Sequence, residues 1–292
     1  MLLAALLPAC SIKKLAINSL GNALASGSSS YATDEDPELV GAAIPFGLKT
    51  VESLLAEAPK HRGLLYAAAS GFTQYAYGFV QQEADFIEAR DLQRATELRE
   101  RACKLYQRAL RYGLRGLGVD FPGFEQRLRQ DRAAALRPMQ KKHVPLLFWS
   151  GLSWFAAISL DKTDSELSAD QSVAEALLQR ALELDPDYEL GSIHEFYIAW
   201  EGRGEAVGGS FARARERFQQ ALRVSRGERA APYVSLAESV SVATQNRKEF
   251  DDLLQQALAV EPGKRAEQRL SNLLYQKRAR WLLARADELF IE

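Results

Sequence analysis

The sequence predicts an all-α protein, a helical solenoid of stacked helix-pair repeats, and three observations carry that prediction. One short phrase, Gln-x-Ala-Leu, recurs four times, at Gln107 to Leu110, Gln179 to Leu182, Gln219 to Leu222 and Gln255 to Leu258. Its central alanines (Ala109, Ala181, Ala221, Ala257) are 72, 40 and 36 positions apart. A period near 36, skipped or doubled once, is that of a helix pair. No run alternates apolar and polar residues as a half-buried strand would.

The flanks of the phrase follow helical spacing. Seven residues before each alanine stand Ala102, Ala174, Ala214 and Phe250, and three before it Tyr106, Leu178, Phe218 and Leu254. Four before it stand Leu105, Leu177, Arg217 and Leu253. These offsets share one helix face. A small alanine there admits a neighbouring helix, and the large residues fill the groove beside it. Pro186 and Pro262 follow Ala181 and Ala257 by five positions and end those helices, because the residue before a proline leaves helical geometry. The phrase resembles the second helix of a tetratricopeptide repeat, including its alanine and closing proline. The Trp-Leu-Gly-Tyr pattern usual in the first helix is not evident, so the repeats are degenerate.

From the N-terminus, Met1 to Ala9 reads as the end of a signal-peptide apolar region, too short to span a bilayer. Leu7-Pro8-Ala9-Cys10 resembles a bacterial lipobox, which makes Cys10 the candidate lipidation site. Residues 10–30 are then a lipidated tether and 31–292 one tetratricopeptide-like helical domain. The alternative is an ordinary apolar N-terminus with a buried cysteine. Asp36-Pro37-Glu38 supplies a cap, a first-turn proline and a first-turn acid. Glu83 to Leu117 reads as a long charge-laced helix, with Glu97–Arg101 and Glu100–Lys104 in supporting order. Pro232 suits a first turn, and Asn246 with Glu249 forms a capping-box pattern opening a helix through Val260. Arg265 to Phe290 lacks proline and glycine and keeps apolar residues at helical spacing. Joints are expected at Gly27–Ser30, around Gly113–Pro122, at Asp161–Ala169 and at Gly202–Gly209. No uninterrupted apolar run reaches the roughly 18 residues of a membrane span.

Composition narrows the function classes. Hydrophobic residues make up 47% and charged residues 26%, which suits a folded chain, and the formal net charge of -1 gives no excess positive field for nucleic acid. Cys10 and Cys103 stand in unrelated contexts, and His61, His143 and His194 are scattered, so no metal or cofactor motif is present. His194 beside Glu195 would point about 100° apart on a helix, and no nucleophile accompanies them. The expectation is a binding protein, not an enzyme.

Three segments are candidates for binding. His143 to Leu160 holds two of the four tryptophans and is apolar nearly all round, which reads as a buried core helix or, on an inner face, a pocket wall. Tyr188, His194, Glu195, Phe196, Tyr197 and Trp200 form a second cluster, while Phe72, Tyr75, Tyr77 and Phe79 read as packing. Asn272 sits among apolar neighbours and is either a structural bridge or a pocket group. The ligand-binding candidates are therefore Trp149 and Trp154, then Tyr197, Trp200 and Asn272. Gly202, Gly204, Gly208 and Gly209 lack the context of a phosphate cradle. Basic Arg127, Arg129, Arg132 and Arg137 with Lys141-Lys142-His143 could hold an anion, or form a solvated face.

The order of these features resembles a known family. After the lipobox come His143-Val-Pro-Leu-Leu-Phe-Trp, with Trp154 five residues on, and Ala181-Leu-Glu-Leu-Asp-Pro-Asp-Tyr188. Gly208-Gly209 precedes Ala212 to Phe218, then come Phe250 to Leu258, Arg269-Leu-Ser-Asn272 and Trp281-Leu-Leu283. Together they resemble the TatT family, the T component associated with tripartite ATP-independent periplasmic (TRAP) transporters, over roughly residues 35–290. The resemblance implies a periplasm-facing lipoprotein, anchored to a membrane by lipid, that associates as an oligomer with the transporter's periplasmic solute-binding subunit. It also implies a pore or cleft that holds or passes an apolar or carboxylate ligand. The competing expectation is a general scaffold lipoprotein for envelope assembly.

Overall fold

The structure, a computed structural model, describes residues 28–162 and 164–291, so Cys10 and the expected leader lie outside the described residues. It is all-helical, with no strand among the described residues. Most of the longer helices start on a side chain that accepts the free N–H groups of the first turn. α1 (Ser28–Ala32) leads into α2 (Pro37–Glu57), where Asp36 accepts from Glu38 and Leu39. α3 (Arg62–Tyr75) starts on His61 and runs through a π-helical turn, Ala76–Gln81, into α4 (Gln82–Ile87). α5 (Leu92–Asp120) starts on Asp91, and α6 (Phe124–Gln130) and α7 (Arg132–Leu136) come next. α8 (Val144–Leu160) carries a proline in its first turn. The short α9 (Ser165–Ala169) precedes α10 (Gln171–Leu184) and α11 (Tyr188–Glu201). α12 (Phe211–Ser225) starts on Ser210. α13 (Ala231–Leu236) runs into a second π-helical turn, Ala237–Ser241. α14 (Arg247–Ala259), α15 (Arg269–Ala284) and α16 (Ala286–Leu289) end the fold.

The four phrase-bearing helices are α5, α10, α12 and α14. Ala109, Ala181, Ala221 and Ala257 are all fully buried, as are Ala102, Ala174, Ala214 and Phe250 seven residues earlier. These small side chains lie where helices meet: α5 against α3 and α8, α10 against α8, α12 against α11, and α14 against α15. The apolar core is three clusters in chain order. The first lies among α2 to α5, the second among α5 to α11 and the third from α11 to α16. α8 is the centre of the second, burying Leu147, Phe148, Trp149 and Trp154. Each such large side chain contributes roughly 2 to 3 kcal/mol by leaving water.

The end of the chain packs back on its beginning. Arg269 donates to the Thr33 carbonyl (3.1 Å), the Phe86 and Trp281 rings meet edge to face at 5.4 Å, and Arg278 pairs with Asp85 (3.1 Å).

Several sequence expectations change. The joint expected around Gly113–Pro122 is helical as far as Asp120. Gly113 and Gly116 lie in it because α8 comes so close that an added Cβ would meet Ser150 and Leu146. The stretch from Glu83 to Leu117 is two helices, broken at Glu88–Asp91. Ser28–Ala32 and Ser165–Ala169 are short helices inside two of the expected joints. Asn246 accepts from the Glu249 N–H (3.1 Å), but Glu249 turns its carboxylate to Arg215 and Ser241, so no reciprocal capping box forms. Two segments, Pro37–Glu57 and Lys141–Leu160, are long and apolar enough on average to cross a membrane. Their polar interruptions are too few to lower the mean, although no uninterrupted run is long. The second is mostly buried as a core helix, while α2 leaves Leu39 and Phe46 exposed.

Candidate functional site

The polar residues with the most unusual surroundings gather where the two ends of the chain meet. The π-helical turn Ala76–Gln81 adds a residue to one helical turn and rotates the helix beyond it, which brings Tyr77 toward α15. The Tyr77 and Tyr275 rings stand 5.9 Å apart. The second π-helical turn places Glu238 against Arg278 of α15.

α11 opens on three left-handed residues, Glu189 (φ 44°), Leu190 (φ 57°) and Gly191 (φ 90°). Gly191 suits this, and its Cα faces the Ala221 backbone closely. Glu189 and Leu190 do not, and such backbone costs on the order of 1 to 3 kcal/mol per residue unless its surroundings hold it. Arg229 holds it here. Its Nη1 donates to the Glu189 carbonyl (3.0 Å) and to Ser192 Oγ (2.8 Å), and Ser192 Oγ donates to the same carbonyl (2.9 Å). Asn272 fixes the segment that carries Arg229. Its Oδ1 accepts the Ala230 N–H (2.9 Å) and its Nδ2 donates to the Glu228 carbonyl (3.1 Å).

From Arg229 a polar track runs through the body. Its Nη2 pairs with Glu195 (2.8 Å), and the Tyr275 hydroxyl donates to the other Glu195 oxygen (2.9 Å). Tyr77 comes next, then Arg278, paired with Glu238 and Asp85. At the other end Tyr66 of α3 lies beside Trp149, Tyr188 and Glu189, and Tyr188 donates to Glu189 (3.0 Å). Burial pushes the Tyr77 phenol up to about 12, and raises Tyr275, Tyr188 and Tyr66 as well. Burial also raises the Glu189 carboxyl. It works against the charge of Arg278, but Tyr77, Glu238 and Asp85 outweigh it and keep the guanidinium charged.

Tyr77 and Tyr275 are half-buried, and Glu189 is exposed at the end of the series. Together these residues form a polar track rich in tyrosine and bearing both charge signs. It offers hydroxyl donors, aromatic faces and carboxylates, and no activated nucleophile stands among them.

The candidate residues divide between two places. Trp149 and Asn272 belong to this track, Trp149 with its indole N–H buried and without a well-formed partner. Trp154, Tyr197 and Trp200 lie in the packed layer between α8 and α11. Trp154 is 1% exposed under the Arg129 guanidinium, and Trp200 packs edge to face on Phe155 at 4.4 Å. His194 is buried with Nδ1 unpartnered, away from the Arg229 and Tyr275 contacts of Glu195, and burial lowers it to about 4. The sequence reading missed Tyr66, Glu189, Arg229 and Tyr275, took Tyr77 as packing, and marked Arg278 (in Arg278-Ala279) only as part of the family pattern. Nothing local marks the first four, since they share no motif.

The fold and the track together define an all-helical protein whose two ends are joined by paired charges. Comparison with known proteins gives the class a name. The profile described as TRAP transporter T-component (TAtT) matches residues 33–290, and the chain belongs to that family. An uncharacterized protein of Treponema pallidum (strain Nichols) is 31% identical, over 97% of this chain and 94% of the relative. As a T component the chain has an accessory role in TRAP transport, in association with the bacterial envelope.

Proposed function

We propose that this protein is a periplasm-facing lipoprotein, anchored through Cys10, that docks the solute-binding subunit of a TRAP-type transporter. The single observation that carries this reading is membership of the T-component family over nearly the whole described chain. In this reading residues 1–9 are removed, 10–30 tether the protein and 31–292 are one solenoid of degenerate tetratricopeptide-like helix pairs. Four fully buried alanines in equivalent helices, and a core in successive clusters, support the solenoid. The contacts between its ends would make it a closed one.

The polar track is where this reading puts a ligand. Each of its arginines faces two carboxylates, Arg229 with Glu195 and Glu189, and Arg278 with Asp85 and Glu238. That balance disfavours a ligand carboxylate and favours an uncharged ligand with apolar or aromatic surface. Trp149 and Asn272 would then act there, while Trp154, Tyr197 and Trp200 would support the wall from behind.

The test is co-purification of the membrane-bound protein with a TRAP-type solute-binding subunit from the native envelope. Recovery of that subunit, lost with the membrane fraction in Cys10→Ser, is expected. Persistent failure to recover it, or undiminished lipid labelling of Cys10→Ser, would overturn the docking and anchor readings respectively. A hydrophobic ligand is expected to quench tryptophan fluorescence, and Trp149→Phe to weaken that response.

A further inference from the structure

Charge is distributed very unevenly along this nearly neutral chain. Between Arg101 and Lys142 there are 11 basic and three acidic residues, and elsewhere 26 basic against 35 acidic. The segment covers the C-terminal two-thirds of α5, all of α6 and α7, and the approach to α8. Acids from other elements neutralise part of it: Glu52 pairs with Arg108, Asp170 with Arg129 and Asp185 with Lys141. Arg111, Arg127, Arg137 and Lys142 are exposed and have no carboxylate within 4.0 Å among the described residues. Arg115 donates to the Pro59 carbonyl and Arg132 to Ser172 Oγ, so both keep their net charge.

Part of this surface is a shallow, open groove. It has a volume of about 610 Å³ and runs between α5 and α6, where Arg111, Arg115 and Arg129 stand over Leu114 and Phe124, and its one acid, Glu125, faces Arg129 (3.6 Å). Nothing lies within 4 Å of where a Cβ on Gly118 or Gly123 would sit, so its floor is open. A second recess of about 470 Å³, holding Arg132, joins it at Arg129.

We infer that this arginine groove is the face on which the protein docks a partner protein, through a carboxylate-rich surface of that partner. The inference rests on the docking reading and assigns its surface. Eight of the 11 cations are arginines, whose planar forks bind carboxylates two-pronged, whereas a headgroup layer is served as well by lysine. None of the large exposed apolar side chains (Leu39, Phe46, Leu92, Val207, Ile291) lies in the segment, so it offers no wedge for lipid insertion. Uncompensated charge of one sign in a recess also concentrates field and speeds encounter with an oppositely charged surface.

The test measures binding of the full-length protein to the purified solute-binding subunit, with Arg111→Glu, Arg127→Glu, Arg137→Glu and Lys142→Glu combined. All four side chains are exposed and unpaired, so folding is unaffected, which circular dichroism checks. The expected result is affinity weakened at least about tenfold, mainly in the association rate, with a flatter salt dependence. Reversal of Lys277 and Arg280 on α15 is expected to leave affinity within about twofold. Wild-type binding unchanged in the fourfold variant overturns the groove and leaves the docking reading standing. No wild-type binding at any salt overturns both. Capture of wild type by vesicles containing anionic lipid, absent with zwitterionic vesicles and lost in the variant, overturns the inference in favour of a membrane surface.

Discussion

Asn272 shows what one side chain can hold in this fold. It is 1% exposed and serves two backbone groups at once, the Ala230 N–H and the Glu228 carbonyl. Asn272→Ala strands both in the interior, and each unmet group costs about 1 to 3 kcal/mol. The expected loss is about 2 to 4 kcal/mol in urea unfolding. Because Arg229 rides on the same segment, hydrogen exchange at Glu189 to Ser192 should also rise. A loss under about 1 kcal/mol, with exchange unchanged, would mean that the segment does not depend on Asn272. His194 gives a pH prediction. Burial, and then Arg217, hold its folded pKa near 4, below the ordinary 6.5. Between those values the unfolded chain binds a proton that the native one refuses, so stability falls as pH drops from 6.5 to 4. The contribution is on the order of 3 kcal/mol and is fully present above pH about 6.5. His194→Gln, which cannot charge, should lose less stability across that window than wild type. Parallel curves for the two proteins would show that His194 does not titrate on unfolding.

At the scale of the element, α5 separates what the sequence shows from what it hides. The alanine register was legible because it depends on helical periodicity alone, and all four alanines are buried as that periodicity requires. The glycines of the same helix were misread as a joint because a glycine looks the same in sequence whether it turns the chain or lets another helix approach. Gly113 lets α8 approach, since an added Cβ would fall 2.2 Å from Ser150 Oγ and 3.4 Å from Ser150 Cα. Gly118 has open space and an ordinary helical backbone. The two should therefore respond oppositely. Gly113→Val should destabilise by about 2 to 3 kcal/mol through overpacking. Gly118→Ala should stabilise by roughly 0.5 to 1 kcal/mol, as alanine does for glycine inside a helix. Thermal unfolding of both variants checks this, and a destabilising Gly118→Ala would show that α5 does not run unbroken to Asp120. The polar track was illegible for a different reason. Its members come from positions 66 to 278, on α3, α8, α11, the Glu228–Ala230 segment and α15, and only their packing brings them together. Trp149 and Asn272 stood out in the sequence because a tryptophan in an apolar helix and an amide in an apolar stripe already need an explanation locally, and the structure places both on the track. Tyr66 and Tyr275 need none.

For the whole molecule, the question is what keeps the two ends of the chain together. Apolar contact contributes through Phe86 and Trp281, but the most buried link is Arg278, 7% exposed between Asp85 and Glu238. A buried ion pair of this kind adds little over an apolar replacement of the same shape, yet removing one partner alone is costly because it leaves charge uncompensated. Arg278→Met leaves two acids facing a methionine, although Arg99 still neutralises Asp85 in part (3.1 Å). The expected cost is about 3 to 5 kcal/mol. Replacing Asp85 and Glu238 as well, by leucine, should recover much of it, since the charge is then gone from both sides. Where the loss appears matters more than its size. If Arg278 holds the seam, hydrogen exchange in the variant should rise first in α4 and α15 and leave α8 and α10 protected, because the second core cluster does not depend on the closure. The polar track lies along the same seam, so under the proposed ligand reading quenching of Trp149 should weaken in step. Uniform loss of protection along the chain would instead mean that the helices unfold as one unit, with the closure contributing nothing separable to the polar track.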